Sequence, residues 1–549
     1  MTGLPELGRR DVMSFFPLAA PRPSQVNVIR AIDKVFSSGT KVVVLEAPVG
    51  SGKSAIAVTL ARAYGSAHIL TPRKALQRQY LDDFKGMAMM QGKGNYPCTY
   101  GKSDAFYQAC KEVSEGQDLG GWLGWDKFRT VSKGWCVKRG KKNRTKYESC
   151  RYDLLGSDAL AEEEHCPFEF AIRFAIQNSI IVHNLHSFLY QNYFGKYFGG
   201  RELLVIDEAH ELEGLIRGFV TSSFVYPKNL PFRAPEEEDE VSAWVEFLSQ
   251  DRVAPTGMGG EADAEKREKW LEKLAFMLEV EDTFLKNRLT IVEEVNDTQM
   301  KVQFIPETFG KAPADLFFDY GKRVLLMSGT IYDKEYYCRK LGLKPDEVAF
   351  IRLTSEFPVG TRPIVMSKRW MTDNSHRSWR DTPSEYLDLV NNLKELMEEN
   401  PDTKGLIHAP SYHIARDLAM KLGDRVIPHS AEDFQVQLDK FYQCTENSVF
   451  ISPVCQQGVD MKYDRARWQA IIRVPYPGME DPFVSRMSKK DFQWYNYQSL
   501  IAFGQMTGRI NRGPDDFGVT YLLDSRFPAY LRKNSKLLPK WLLDAVETR

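Results

Sequence analysis

Three short stretches hold residue types whose order could manage a polyphosphate. Leu45-Glu46 runs into Ala47-Pro48-Val49-Gly50-Ser51-Gly52-Lys53-Ser54, and then into the helical run Ala55–Tyr64. A strand, a Gly-rich loop and a helix opened by Gly-Lys-Ser turn backbone N–H groups and a positive dipole end towards phosphate oxygens. Gly50, Ser51 and Gly52 would shape that cradle, Lys53 would reach the β- and γ-phosphates, and the Ser54 hydroxyl would ligate Mg2+. The second stretch, Leu203-Leu204-Val205-Ile206-Asp207-Glu208-Ala209-His210, is an apolar strand ending in two acids. At the C-terminal edge of a parallel sheet, Asp207 would hold Mg2+ and Glu208 would polarise the attacking water. The third is Gln505-Met506-Thr507-Gly508-Arg509-Ile510-Asn511-Arg512. On a helix, Arg509 and Arg512 share a face with Gln505, a geometry that suits guanidinium groups stabilising charge on a γ-phosphate. Each stretch has a plainer reading: a strand–turn–helix, an acidic helix start, a solvated arginine pair. Their presence together favours ATP chemistry.

The elements that must carry these residues follow from the hydrophobic pattern. Short β-branched runs alternate with longer helical stretches, which predicts parallel α/β sheets. Candidate strands are 41–45, 68–70, 180–182, 203–206, 324–327, 405–408, 449–451, 470–474 and 518–523. They divide into two α/β units, 1–345 and 346–549, with the loop-like stretch Ser355–Pro363 near the change. Two stretches interrupt the first unit. Residues 86–167 are rich in Gly, aromatics and Lys/Arg and hold five of the eight cysteines; residues 214–299 are acidic, with helices expected around 241–248 and over 265–287. The 549 residues carry 73 Lys+Arg against 73 Asp+Glu, so whole-molecule electrostatic capture of nucleic acid is excluded while local basic stripes are not. With 43% hydrophobic and 27% charged residues the composition is that of a globular chain. No apolar run approaches a membrane span, and Met1–Phe16 lacks a signal-peptide core, which predicts an intracellular soluble protein with no membrane partner.

Taken together, these residues resemble the DEAH-type superfamily 2 helicases, in particular the XPD/DinG-like iron–sulfur DNA helicases. Phe16-Pro17 with Pro21-Arg22-Pro23-Ser24-Gln25 looks like that family's base-sensing element, with Gln25 as adenine reader and Arg22 beside it. Thr71-Pro72-Arg73-Lys74-Ala75-Leu76-Gln77 resembles motif Ia, with Thr71 and Arg73 on the nucleic-acid backbone. Val205–His210 resembles motif II and Met327-Ser328-Gly329-Thr330-Ile331 motif III. Gly405-Leu406-Ile407-His408-Ala409-Pro410-Ser411-Tyr412 is similar to motif IV, with Ser411 and Tyr412 as further strand contacts. Gln457-Gly458-Val459-Asp460 resembles motif V, which puts Gly458 and Asp460 at the nucleotide, and Gln505–Arg512 resembles motif VI. The resemblance implies two RecA-like parallel-sheet motor domains, an iron–sulfur insertion at 86–167 and a helical Arch-like insertion at 214–299.

By the same resemblance, four thiolates would bind a four-iron–four-sulfur (4Fe-4S) cluster. Gly94-Asn95-Tyr96-Pro97-Cys98 and Cys166-Pro167-Phe168 look like the first and last ligand contexts. Five cysteines compete for four places. Cys98, Cys136, Cys150 and Cys166 are favoured, because Cys110 sits in a helical run; a zinc site or plain core thiols are the alternatives, and no CxxC pair supports zinc. The run Lys138-Arg139-Gly140-Lys141-Lys142-Asn143-Arg144 beside Trp135 and Tyr147 suits single-strand binding. The resemblance implies a monomeric ATP- and Mg2+-dependent helicase moving 5′→3′ on single-stranded DNA and opening forked duplex. Alternatives are an RNA-directed or remodelling translocase, and an ATP-switch scaffold that is no motor.

Overall fold

The computed structural model describes residues 11–96, 167–254, 261–281, 285–445, 447–454, 459, 461–513 and 515–549. In chain order the strands are β1 (Val42–Glu46), β2 (Ala67–Thr71), β3 (Ala88–Met90), β4 (Ile180–Asn184), β5 (Arg201–Asp207), β6 (Ser222–Pro227), β7 (Arg288–Asn296), β8 (Gln299–Pro306) and β9 (Gly321–Ser328). They continue as β10 (Val348–Arg352), β11 (Ile364–Met366), β12 (Gly405–His408), β13 (Val426–Ile427), β14 (Val449–Ser452), β15 (Trp468–Ile471), β16 (Val519–Leu522) and β17 (Val546–Thr548).

Two seven-stranded sheets organise the chain, in the orders β10-β1-β9-β5-β2-β4-β3 and β13-β14-β12-β15-β16-β11-β17. Every pairing within them is parallel. Side chains of a strand alternate between faces, and here both faces are covered. Val42, Val44, Leu204, Ile206, Val324 and Leu326 enter one core, while Val43, Leu45, Leu203, Val205, Leu325 and Met327 enter the other. That explains why these strands read as unbroken apolar runs. The second sheet does the same, with Ile407, Val449 and Ile451 on one side and Leu406 and Phe450 on the other.

The structure departs from the expected layout in three places. Strand β10 pairs with β1 in the first sheet, register Val42↔Val348, so that sheet runs to Arg352 rather than ending at 345. The change of sheet falls between Arg352 and Ile364, within which the Ser355–Pro363 stretch lies. Second, the 214–299 stretch is not simply helical. Helices Val241–Ser249 and Glu261–Val280 lie against an antiparallel three-stranded sheet, β6-β8-β7. Trp244, Trp270, Phe224 and Phe304 close that layer, in one continuous core with Leu212, Leu215 and Ile216 of the first unit. Third, the strand expected at 470–474 is Trp468–Ile471.

Candidate ATP site between two parallel sheets

The phosphate loop leaves β1 at Ala47 and opens the helix Lys53–Tyr64. Gly50 and Gly52 have φ of 76° and 79°, which other residues adopt at a cost. Space adds a second requirement: a Cβ on Gly52 would lie 2.2 Å from Gln25 Nε2, and one on Gly50 2.7 Å from the Arg512 carbonyl oxygen. The helix start has no side-chain cap, so its first N–H groups are left for a ligand. Gln25 Nε2 donates to Ser51 O at 3.1 Å, Gln25 Oε1 accepts from Arg22 N at 2.9 Å, and Arg22 Nη2 donates to Gly50 O at 2.9 Å. The amide nitrogen of Gln25 thus holds the loop, while its oxygen closes the capping box of its own helix on Arg22 N.

The carboxylates stand at the C-terminal end of β5. Asp207 is buried; Oδ1 accepts from Glu208 N at 2.9 Å and Oδ2 from the Tyr80 hydroxyl at 3.0 Å. Burial and the Glu208 charge push the Asp207 carboxyl up to about 6, with Lys53 pulling the other way. For Glu208 burial also raises the value, but Lys53, His210, Arg509 and Arg512 together hold it below the usual range. Glu208 therefore stays ionised, as a water-polarising carboxylate must. It also sits at φ 51°, an unfavourable conformation for a residue with a Cβ, kept by the structure around it. Lys53 Nζ donates to Ala47 O at 3.2 Å. A glycine cradle, an uncapped helix start, a lysine, and a hydroxyl and carboxylate pair are the donor set that a magnesium nucleotide needs.

A polar path leads from Glu208 into the second unit. Glu208 Oε2 is 3.4 Å from His210 Nδ1, which is 2.8 Å from Ser328 Oγ; Ser328 Oγ lies 3.4 Å from Thr330 Oγ1. Thr330 Oγ1 accepts from Gln505 Nε2 at 3.0 Å, and Gln505 Oε1 accepts from Arg509 Nη2 at 2.7 Å. Arg509 Nη1 also donates to Val459 O at 2.9 Å. The arginines are not on a helix, contrary to expectation. The helix Phe492–Thr507 stops at Gly508, and Arg509–Arg512 form a turn with Asn511 at φ 59°. Asp516 holds this turn, accepting from Arg512 N at 2.9 Å. The turn, not a helix face, brings both guanidinium charges to Glu208.

The four expected strand contacts do not converge. Thr71 is buried, its hydroxyl on Arg73 O at 3.2 Å, and Arg73 pairs with Glu211 at 3.0 Å. Ser411 caps the next helix, accepting from Ile414 N at 3.3 Å, and Tyr412 packs on His429. Ser411 does line a cleft of about 920 Å³ with His408, Arg473, Tyr476, Tyr495 and Gln505. Arg473 Nη2 is buried there with no hydrogen-bond partner, its guanidinium lies 4.4 Å from the Trp379 ring centre, and Tyr476 stacks on Tyr495 at 5.0 Å. Arg473 and this stack had no motif to mark them. Gly458, Asp460, Cys98, Cys136, Cys150, Cys166, Cys110 and the 138–144 basic run lie outside the described residues. No helix among the described residues is long and apolar enough to cross a membrane.

Known proteins resemble the chain in both units. A family model described as helicase C-terminal domain matches residues 393–545, and one described as type III restriction enzyme, res subunit, matches 18–221. A regulator of telomere elongation helicase 1 homolog from Drosophila willistoni is 29% identical over 147 residues, 23% of this chain and 14% of that protein. Its Caenorhabditis elegans counterpart is 30% identical over 106 residues, 16% of this chain and 10% of that one. A solved XPD helicase superposes with a TM-score of 0.56 over 97% of this chain and all of its own, at 14% identity. Xpd4 of S. tokodaii gives 0.52 over 96% of this chain and all of its own, at 13% identity. The chain is thus similar to helicases in its second unit and shares the XPD fold over nearly its whole length. As in the XPD structures, the chain has two RecA-like parallel-sheet domains. The matched segments span about a seventh or less of the telomere-helicase relatives' length.

Proposed function

We propose that this chain is an ATP- and Mg2+-dependent DNA helicase that moves 5′→3′ along single-stranded DNA and opens forked duplex. The observation that carries the reading is the meeting of the Lys53 loop, Asp207 and Glu208 with the Arg509–Arg512 turn of the other sheet. ATP supplies the phosphoanhydride and Mg2+ the charge that neutralises it. Lys53 and the loop N–H groups would hold the phosphates, Ser54 and Asp207 would hold the metal, and Glu208 would accept a proton from the attacking water. Arg509 and Arg512 stabilise charge building on the γ-phosphate. Gln505 is a positioning residue in this scheme. It bonds Thr330 of the first unit while lining the cleft of the second, so closure on nucleotide and grip on the strand share one side chain.

The strand would lie in the Ser411–Arg473 cleft. There the unpartnered Arg473 donor suits a phosphate and the Tyr476–Tyr495 stack suits a base. By family resemblance Cys98, Cys136, Cys150 and Cys166 would hold a 4Fe-4S cluster in the insertion expected at 86–167, although Ala88–Met90 of that range are β3 of the first sheet, paired with β4, so the insertion would start after them. Residues 214–299 would act as the Arch-like element. The motor would work as a monomer, and its place is with intracellular DNA.

Strand displacement with ATP on duplexes carrying a 5′ or a 3′ single-stranded tail tests this. Unwinding of the 5′-tailed duplex alone is expected, with loss of roughly 100-fold or more of ATP turnover in Lys53→Ala. Single-strand-stimulated ATPase without unwinding would favour a translocase on RNA or on protein–nucleic-acid complexes. Slow turnover indifferent to any strand would point to a switch subunit.

A further inference from the structure

The helix Lys74–Asp83 follows the motif Ia loop, and nothing in its sequence marks Tyr80 as more than a core residue. Its ring is packed as one: it is 1% exposed, within the core beneath the first sheet, and tilted against Phe84 at 6.2 Å. Its hydroxyl is placed otherwise. It donates to Asp207 Oδ2 at 3.0 Å, beside the Ser54 side chain. A phenol has one proton; with that given to Asp207, its oxygen is left as an acceptor towards the Ser54 hydroxyl. Asp207 Oδ2 is thereby pinned in one orientation, and a Ser54 hydroxyl that gave its proton to Tyr80 would keep its lone pairs for a metal. These are the two side chains assigned to the metal, one from the phosphate loop and one from β5, and Tyr80 joins them from a third element. A phenylalanine would fill the same space, so packing alone does not account for a buried hydroxyl at this point.

We propose that Tyr80 is a positioning residue of the metal site, presetting the Ser54 hydroxyl and the Asp207 carboxylate as a pair for a divalent cation that arrives with the nucleotide. The inference rests on the reading of the site as one for a magnesium nucleotide. Partners that orient metal ligands from outside the coordination shell are commonly worth 10- to 100-fold in metal affinity.

The test uses the full chain with Mn2+ in place of Mg2+, titrated by electron paramagnetic resonance in the presence of ADP. ADP affinity is measured separately in a chelator. Tyr80→Phe, which keeps the ring and the core, is expected to weaken Mn2+ about 10-fold and to leave metal-free ADP affinity within about twofold. A merely structural role for Tyr80 would move both affinities or neither. Mn2+ affinity equal to that of the unaltered chain overturns the proposal, and so does tighter binding, which would mean that the hydroxyl competes with the metal. If the unaltered chain itself binds neither ADP nor Mn2+ with ADP, the nucleotide reading fails before Tyr80 is at issue.

Discussion

The two units contain the same local construction with opposite chemistry at its turn. In the first, β1 passes through Ala47–Gly52 into the helix Lys53–Tyr64; in the second, β12 passes through Ala409–Ser411 into the helix Tyr412–Leu422. Both are parallel strands followed by a helix, and both helix starts carry unsatisfied N–H groups by construction. In the second unit Ser411 answers them, its hydroxyl oxygen accepting from Ile414 N. In the first, Gly52 has no side chain to offer. An anion site is thus made as much by withholding a cap as by supplying a lysine. The strand ends differ in the same sense. The Lys53 loop has Asp207 and Glu208 across from it, whereas His408 ends β12 beside the cleft, its Nε2 3.0 Å from Gln469 Oε1 and burial holding it down at about 4.

Closing the open turn should do the most damage. Gly52→Ala places a Cβ against Gln25 Nε2 at a positive φ, a conformation that costs roughly 1–2 kcal/mol for a residue with a side chain. A fall of at least about tenfold in nucleotide affinity is expected, read by fluorescent ADP titration; full affinity would mean that the loop relaxes freely. The pH dependence should be the next largest effect. Asp207 is held up to about 6, above its unfolded value, so ionising it costs the metal-free fold stability as pH rises through about 6. The metal needs the ionised form, and the sign reverses for binding: Mn2+ affinity with ADP should fall about tenfold from pH 7 to pH 5. His408, already neutral, has no titration in that window. A flat metal profile would show that Asp207 is not a ligand. The smallest effect is expected from opening the closed turn. Ser411→Ala removes one cap, about 1 kcal/mol, and should lower the second unit's melting temperature by about 2–4 °C with ADP affinity unchanged.

How legible these features were depended on how local each one is. The Gly-Lys-Ser loop and the Asp207–Glu208 strand end could be read directly, since a few consecutive residues suffice to build each. The sheet β6-β8-β7 was not read. It lies inside an acidic stretch whose helices have the clearer period, and the adjacent Glu293 and Glu294 interrupt the alternation of β7. Strand β10 was missed because its place beside β1 is fixed by a partner some 300 residues away. Arg509 and Arg512 were read as a pair on a helix face, and the structure places the pair on another element. Their spacing fits a helix, but the chain leaves the helix at Gly508 and Asp516 holds the turn. Tyr80 and Arg473 gave no signal at all, an aromatic in a helix and a base near prolines being ordinary sights.

What the amino-acid order determined by itself was the chemistry on offer: glycines that leave a loop bare, a lysine and a serine at a helix start, two acids at the end of an apolar strand, and two parallel α/β units to carry them. Backbone permissiveness and hydrophobic period are local properties, so they survive without a fold. Which groups meet was decided only by tertiary structure. The Tyr80 hydroxyl on Asp207, Gln505 on Thr330 and the Arg509 turn at Glu208 join residues 127, 175 and about 300 positions apart. Such contacts exist because two packed sheets bring their edges together, and no sequence window contains that distance.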